Sequence, residues 1–217
     1  MGLALEHNSL SVETARVFRA TMGLMKFASL ALAAGILMLS CSRPPGPHSH
    51  PVNCQFFPER QPAACEERSD GSVVVAEPSL AHADFGQSDL AAIYIDGRPG
   101  LYFVNRRGKT APAFLYDNGP DYLVEGLART VRNGKMGFVN TQLEEIVQPV
   151  WDFASPFQDG VAAVCTDCVP KAAGDEHTYM SGGKWGYIDR HGRVIVPVEY
   201  EQSRLPAAEF AARQVKR

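Results

Sequence analysis

The segment Gly134-Lys135-Met136-Gly137-Phe138-Val139-Asn140 returns downstream as Gly183-Lys184-Trp185-Gly186-Tyr187-Ile188-Asp189, and a degenerate copy reads Gly100-Leu101-Tyr102-Phe103-Val104-Asn105. Such self-similarity restricts the fold more than composition does. A repeated unit too small to bury its own apolar face is stable only when neighbours stack on it. Each copy is followed by a turn and a second apolar stretch reaching a proline, over 108–112, 143–149 and 192–197. An aromatic comes next: Phe114 or Tyr116, then Trp151, then Tyr200. A further element, Glu125-Gly126-Leu127-Ala128, matches Asp159-Gly160-Val161-Ala162. Leu90-Ala91-Ala92-Ile93 stands in its place ahead of the first copy, and the stretch 209–215 is a weaker match after the last.

Short β-branched and aromatic runs bounded by Gly, Asn and Asp are strand and turn chemistry, so each repeat reads as about three antiparallel strands. Sustained helical periodicity is absent after residue 41. The expected fold is all-β, with antiparallel hairpin or meander repeats in an open stacked or propeller-like array. Along one strand Trp185 and Tyr187 face opposite sides, while Gly186 lets the strand bend or another backbone approach. Trp185 is expected to pack within or between repeats; a ligand-stacking platform is the alternative.

These residues resemble WG repeats, a family named for a Gly-Lys-Trp-Gly-Tyr-Ile-Asp core followed by a Val-Ile-Pro stretch and a Glu-Gly-Leu-Ala element. Lys184, Trp185, Gly186 and Tyr187 match it closely; Lys135, Met136, Gly137 and Phe138 match with Met in place of Trp, and the first copy lacks the motif's front half. The resemblance covers roughly residues 90–217. It implies repeated β-hairpins, no assigned catalytic residues, and roles in interaction.

The N-terminal part reads as an export signal. Lys26 precedes an apolar run from Phe27 to Leu39, then Ser40 and Cys41. That run is well short of the roughly 20 residues a spanning helix needs. Met38-Leu39-Ser40-Cys41 resembles the lipobox of a bacterial lipoprotein, which implies lipidation at Cys41, a membrane anchor and, from Ser42, the outer membrane of a Gram-negative envelope. Glu6 and Glu13 are wrong for the charged start of a signal peptide, so residues 1–24 read as an upstream artefact or extension and 25–40 as the signal. Residues 41–53 read as a Pro-rich tether, 54–89 as a disulfide-pinned segment and 90–217 as the repeat domain.

Setting Cys41 aside leaves Cys54, Cys65, Cys165 and Cys168, an even number in a compartment where disulfides persist. Local pairing, Cys54 with Cys65 and Cys165 with Cys168, is favoured among three connectivities. Closing the first loop removes roughly 3 kcal/mol of unfolded-state freedom in the chain-entropy account. The second pair is also a redox and zinc spacing, with His177 as a third ligand, but no following helix is signalled to lower a thiol pKa. His48 and His50 with Cys54 offer a weaker metal set within the tether, and no metal or cofactor is expected.

Between the second and third copies the chain inserts residues 165–182, read as a surface loop where the preceding junction is a tight Arg132-Asn133-Gly134 turn. Lys171, Asp175, Glu176, His177 and Tyr179 there are the candidate binding residues. A net charge of −3 with scattered Lys and Arg excludes the footprint of a nucleic-acid binder. With no Ser, His and Asp set or carboxylate pair on a motif, the chain reads as a non-enzymatic envelope lipoprotein that binds or scaffolds a protein or glycan. The alternative is a thiol-redox or metal-handling protein using Cys165, Cys168 and His177.

Overall fold

Asn105, Asn140 and Asp189 end the three motif copies. In the computed structural model, which describes residues 49–174 and 178–215, each builds the same turn. The main-chain N–H of each donates to the carbonyl four residues on, in Lys109 (3.0 Å), Glu144 (3.1 Å) and Arg193 (2.9 Å). Its carbonyl accepts from the N–H of Gly108, Leu143 and Gly192, each at 2.9 Å. Its side-chain Oδ1 accepts two more N–H groups, those of Arg107 and Lys109, of Gln142 and Glu144, and of His191 and Arg193. A short side chain with an acceptor two bonds from the backbone is what this reach requires, which is why Asn or Asp stands there.

The turns join strands of one plan, all antiparallel. The described chain begins with β1 (His50–Phe56), β2 (Gln61–Glu67) and β3 (Val73–Val75). The first repeat is β4 (Leu90–Ile95), β5 (Tyr102–Asn105) and β6 (Thr110–Pro112), followed by a small hairpin, β7 (Leu115–Tyr116) and β8 (Gly119–Pro120). The second is β9 (Ala128–Arg132), β10 (Lys135–Val139) and β11 (Glu145–Trp151). After β12 (Phe153–Ala154), the third is β13 (Val161–Ala172), β14 (Thr178–Asp189) and β15 (Val194–Tyr200), and helix α1 (Ala208–Val215) closes the described chain. The sheets run β3-β2-β1-β4-β5-β6, β11-β10-β9 and β12-β13-β14-β15, with β7-β8 separate. The expected three antiparallel strands per repeat are present.

The motif glycine has one mechanical task. Between Met136↔Trp151 and Phe138↔Val147 the register of β10 against β11 slips, and β14 slips against β15 between Trp185↔Tyr200 and Tyr187↔Val196. The bulged partner strand leans onto the glycine: a Cβ on Gly137 would lie 2.3 Å from the Val147 carbonyl oxygen, and one on Gly186 2.5 Å from that of Val196. Pro149 and Pro197 sit in the bulges, where a missing N–H costs no ladder bond. The first copy has Tyr102 in the glycine's place, and β5 pairs with β6 without a slip.

Stacking follows the same residues. Leu90 and Phe103 of the first repeat pack on Ala128, Val139 and Leu143 of the second. Leu127, Phe138 and Val147 of the second pack on Ala162 and Ile188 of the third. Val161, Tyr187 and Val196 of the third pack on Ala211 and Ala212 of α1. The array is therefore an open stack, and the stretch 209–215, matched in sequence to a strand element, is corrected to a helix. Ala211 and Ala212 occupy the place where a further repeat would fit, but with Ala208, Glu209, Arg213 and Gln214 around them the segment has helix-forming composition and no strand partner.

The receiving face of the first repeat, Ala91 and Val104, is covered by Cys54, Phe56, Cys65, Val73 and Val75. Within residues 54–89, β1, β2 and β3 thus join the first repeat's sheet. His50–Asn53, placed in the tether by sequence, belong to β1, where Val52 pairs with Cys65. Cys54 and Cys65 are bonded across adjacent strands, with Cα atoms 6.1 Å apart. The sheet curls until its edges meet: Val75 N–H donates to the Gly108 carbonyl (2.8 Å) and Thr110 Oγ1 to that of Val73 (2.7 Å). A Cβ on Gly108 would lie 2.2 Å from the Val75 oxygen, so the seam needs glycine there. The described residues belong to one unit, Pro44–Arg217, in which no described helix is long and apolar enough to cross a membrane. The signal segment, Cys41 and His48 lie outside the described residues.

Candidate functional site

The β7–β8 hairpin turns through Asp117 and Asn118, both left-handed at φ 47° and 63°, a conformation their short polar side chains tolerate. It lifts Tyr116 to the edge of a cleft of about 440 Å³, whose wall continues through Tyr122, Phe57 and Asp84. That volume lies in the range of small-ligand sites. Tyr116 and Tyr122 are 51% and 63% exposed and meet edge to face, with ring centroids 5.9 Å apart. Two exposed rings held on short, bonded segments present preformed apolar faces to solvent, the arrangement that binding sites use and cores do not.

The floor is anchored by a buried ion pair that the sequence did not disclose. Asp121, following β8, accepts from Arg129 of β9 through both carboxylate oxygens and also from its backbone N–H. The guanidinium lies 4.4 Å from the Phe114 ring centre and 5.7 Å from that of Tyr116. One arginine thereby neutralises Asp121 and positions the aromatic wall. Nothing in the local sequence marks this pair, since the partners are separated by a turn and meet only once β9 joins its sheet.

The 165–182 insertion is not a loop. Its arms continue β13 and β14, paired from Cys168↔Gly182 to Ala172↔Thr178, because a run alternating Val, Lys, Tyr and Met satisfies its backbone groups by pairing even with Pro170 at an exposed position. Lys171 and Tyr179 stand directly opposite each other and both are exposed, so the fold brings those two candidates together. Asp175, Glu176 and His177 lie outside the described residues. At the base, Cys165 and Cys168 are bonded, 0% and 5% exposed, and packed with Trp185. Asp152 buttresses this corner, accepting from Lys135 Nζ (2.6 Å) and the Asp167 N–H (2.7 Å). The lysine bond first, and the Asp167 N–H with it, hold the Asp152 carboxyl below its ordinary range against its burial.

Residues 136–167 and 185–205 match the family model described as WG containing repeat. The chain carries WG repeats. Comparison with curated proteins and with solved structures finds no match. The matched stretches begin in β10 and β14, the motif strands of the second and third repeats, which have the glycine and the bulge. Trp185, the WG tryptophan, is buried, donates from Nε1 to the Gly182 carbonyl (2.8 Å) and packs on Phe153 at 5.9 Å, as a packing residue does. Met136 takes its place in the preceding WG repeat, where Trp151 pairs opposite it and its Sδ accepts from the Ala154 N–H at 3.3 Å. Lys184 lies on β14 opposite Thr166, beside the bonded corner.

Proposed function

We propose that this chain is an exported, lipid-anchored WG-repeat protein of a bacterial envelope that binds a partner and performs no catalysis. The observation that carries the binding part is the cleft of about 440 Å³ beside β7–β8, with its two exposed tyrosines and no core function to explain them. The anchor rests on the Lys26 to Cys41 pattern, and export is supported by two bonded cysteine pairs. A thiol-redox role is weakened by burial of the Cys165 and Cys168 pair, which offers no accessible thiolate. Negative net charge and an acidic cleft speak against nucleic acid.

A photocrosslinking residue placed at Tyr122 should trap the partner in intact cells, while one at Val194, on β15 away from the cleft, should not. Crosslinks only from Tyr179 would move the site to the hairpin arms. For the anchor, labelled palmitate should be incorporated and lost in Cys41→Ala; an unacylated mature N-terminus at or beyond Ser42 would refute it.

A further inference from the structure

We propose that the cleft takes an alkylammonium group, supplied by a small amine or by a lysine side chain of a protein; this rests on the binding-module reading and specifies its ligand. Three carboxylates line the cleft, in Asp84, Asp117 and Asp121, with no Lys or Arg among the lining residues. The Arg129 fork cancels Asp121. The Asp84 side chain accepts only a local bond, from the Gly86 N–H, and the Asp117 side chain has no hydrogen bond or ion pair among the described residues. The unbalanced charge is therefore negative, and an anionic ligand is repelled.

The rings select further. A ring face carries negative quadrupole charge, so a cation over it is attracted. The protein's own arginines already use neighbouring faces this way: Arg60 lies 3.8 Å over Tyr94, and Arg129 covers Phe114. Tyr122, the more exposed of the cleft tyrosines, has no arginine or lysine over its ring among the described residues. Its ring plane stands at 69° to that of Tyr116, and Asp117, at the turn of the hairpin that carries Tyr116, lines the same cleft. The Tyr116 ring already has the Arg129 guanidinium 5.7 Å from its centre, a cation balanced by Asp121, so an ammonium with an apolar flank takes the Tyr122 ring and a cleft carboxylate, with Tyr116 as its apolar neighbour. A neutral sugar would stack on the rings but leave Asp117 partly desolvated without a counter-charge, which costs affinity.

Calorimetric titration of the full chain in detergent at low salt, with choline, its uncharged isostere 3,3-dimethylbutan-1-ol and Nα-acetyl-lysine methylamide, tests this. At least one ammonium should bind about fivefold or more tighter than the isostere, and added salt should weaken it. Tighter binding of the lysine derivative than of choline points to a protein side chain, the reverse to a free amine. Asp117→Asn and Tyr122→Leu should each weaken binding about three- to tenfold with unchanged thermal midpoint. Equal affinity for the isostere, absence of saturable ammonium binding, or retained affinity in Tyr122→Leu would overturn the proposal. A photocrosslink from position 122 without ammonium binding would leave the cleft a binding site and overturn the ligand class alone.

Discussion

Arg129 and Asp121 meet edge to edge inside the protein, Nη2 to Oδ1 at 2.6 Å and Nε to Oδ2 at 2.9 Å, with side chains 4% and 3% exposed. Arg129 Nη1 also donates to the Ala154 carbonyl at 3.2 Å, so one guanidinium ties the cleft floor to the second and third repeats. Asp121→Ala leaves that cation buried and unpaired, and should cost about 3–5 kcal/mol. Asp121→Leu combined with Arg129→Met should recover most of the loss. Thermal unfolding of singles and double decides; additive losses would mean that the pair is not coupled.

Gly137→Ala and Gly186→Ala each push a methyl into the bulged partner strand and should cost roughly 1–3 kcal/mol. Gly119→Ala, whose Cβ would find nothing closer than 3.9 Å, should stay within about 0.5 kcal/mol of the parent. Urea midpoints at unchanged slope report the difference. If all three variants behave alike, the bulge contact is not what the glycine serves.

Asp189 links a repeat turn to acid stability. Burial works against its carboxylate, but the Arg193 N–H and guanidinium and the His191 N–H outweigh it and hold the carboxyl below its ordinary value of 3.8. A depressed folded pKa gives stability that is complete above the unfolded value and lost as pH falls through the folded one. Asp189→Asn keeps the acceptor found in Asn105 and Asn140. It should cost at most about 1 kcal/mol at pH 7, since Arg193 is exposed, and should flatten the acid loss below 3.8. Unfolding midpoints across that range in parent and variant give the difference curve; an identical acid slope would assign the titration elsewhere.

Trp185→Ala removes the indole beside the Cys165 and Cys168 bond and its link to Gly182, and should cost about 3–5 kcal/mol. Because that link closes the base of the β13–β14 arms, amide exchange over 168–172 and 178–182 should accelerate more than exchange in β4–β6. Uniform acceleration would mean that the indole supports the whole stack rather than this hairpin.

The repeat was legible because its period is written in residues that only one turn and one bulge can use: Asn or Asp to cap the turn, Gly to receive the bulge. The strand plan and a stacked or propeller-like array followed from that; the local cysteine pairs followed from their even number and close spacing. The arms at 165–182 were misread because an insertion facing a tight Arg132-Asn133-Gly134 turn at the preceding junction suggests a surface loop, whereas two inserted stretches of equal length pair with each other and extend β13 and β14. The helical Ala211-Ala212 element was misread for the reverse reason: it holds the right position in the stack but has no strand beside it. The cleft was invisible in sequence. Tyr122 and Asp117 carry no motif, and their meaning comes from Arg129 fixing the segment between them.

Both ends of the stack are plugged by elements that are not repeats: the Cys54–Cys65 strands cover Ala91 and Val104 at the front, and α1 covers Val161, Tyr187 and Val196 at the back. Front and back of a WG stack are complementary by construction, since each repeat offers its neighbour what it receives from the other side. Bare ends would join head to tail between molecules, and that operation does not close. Among the described residues, the two plugs cover the faces through which such a joint would form.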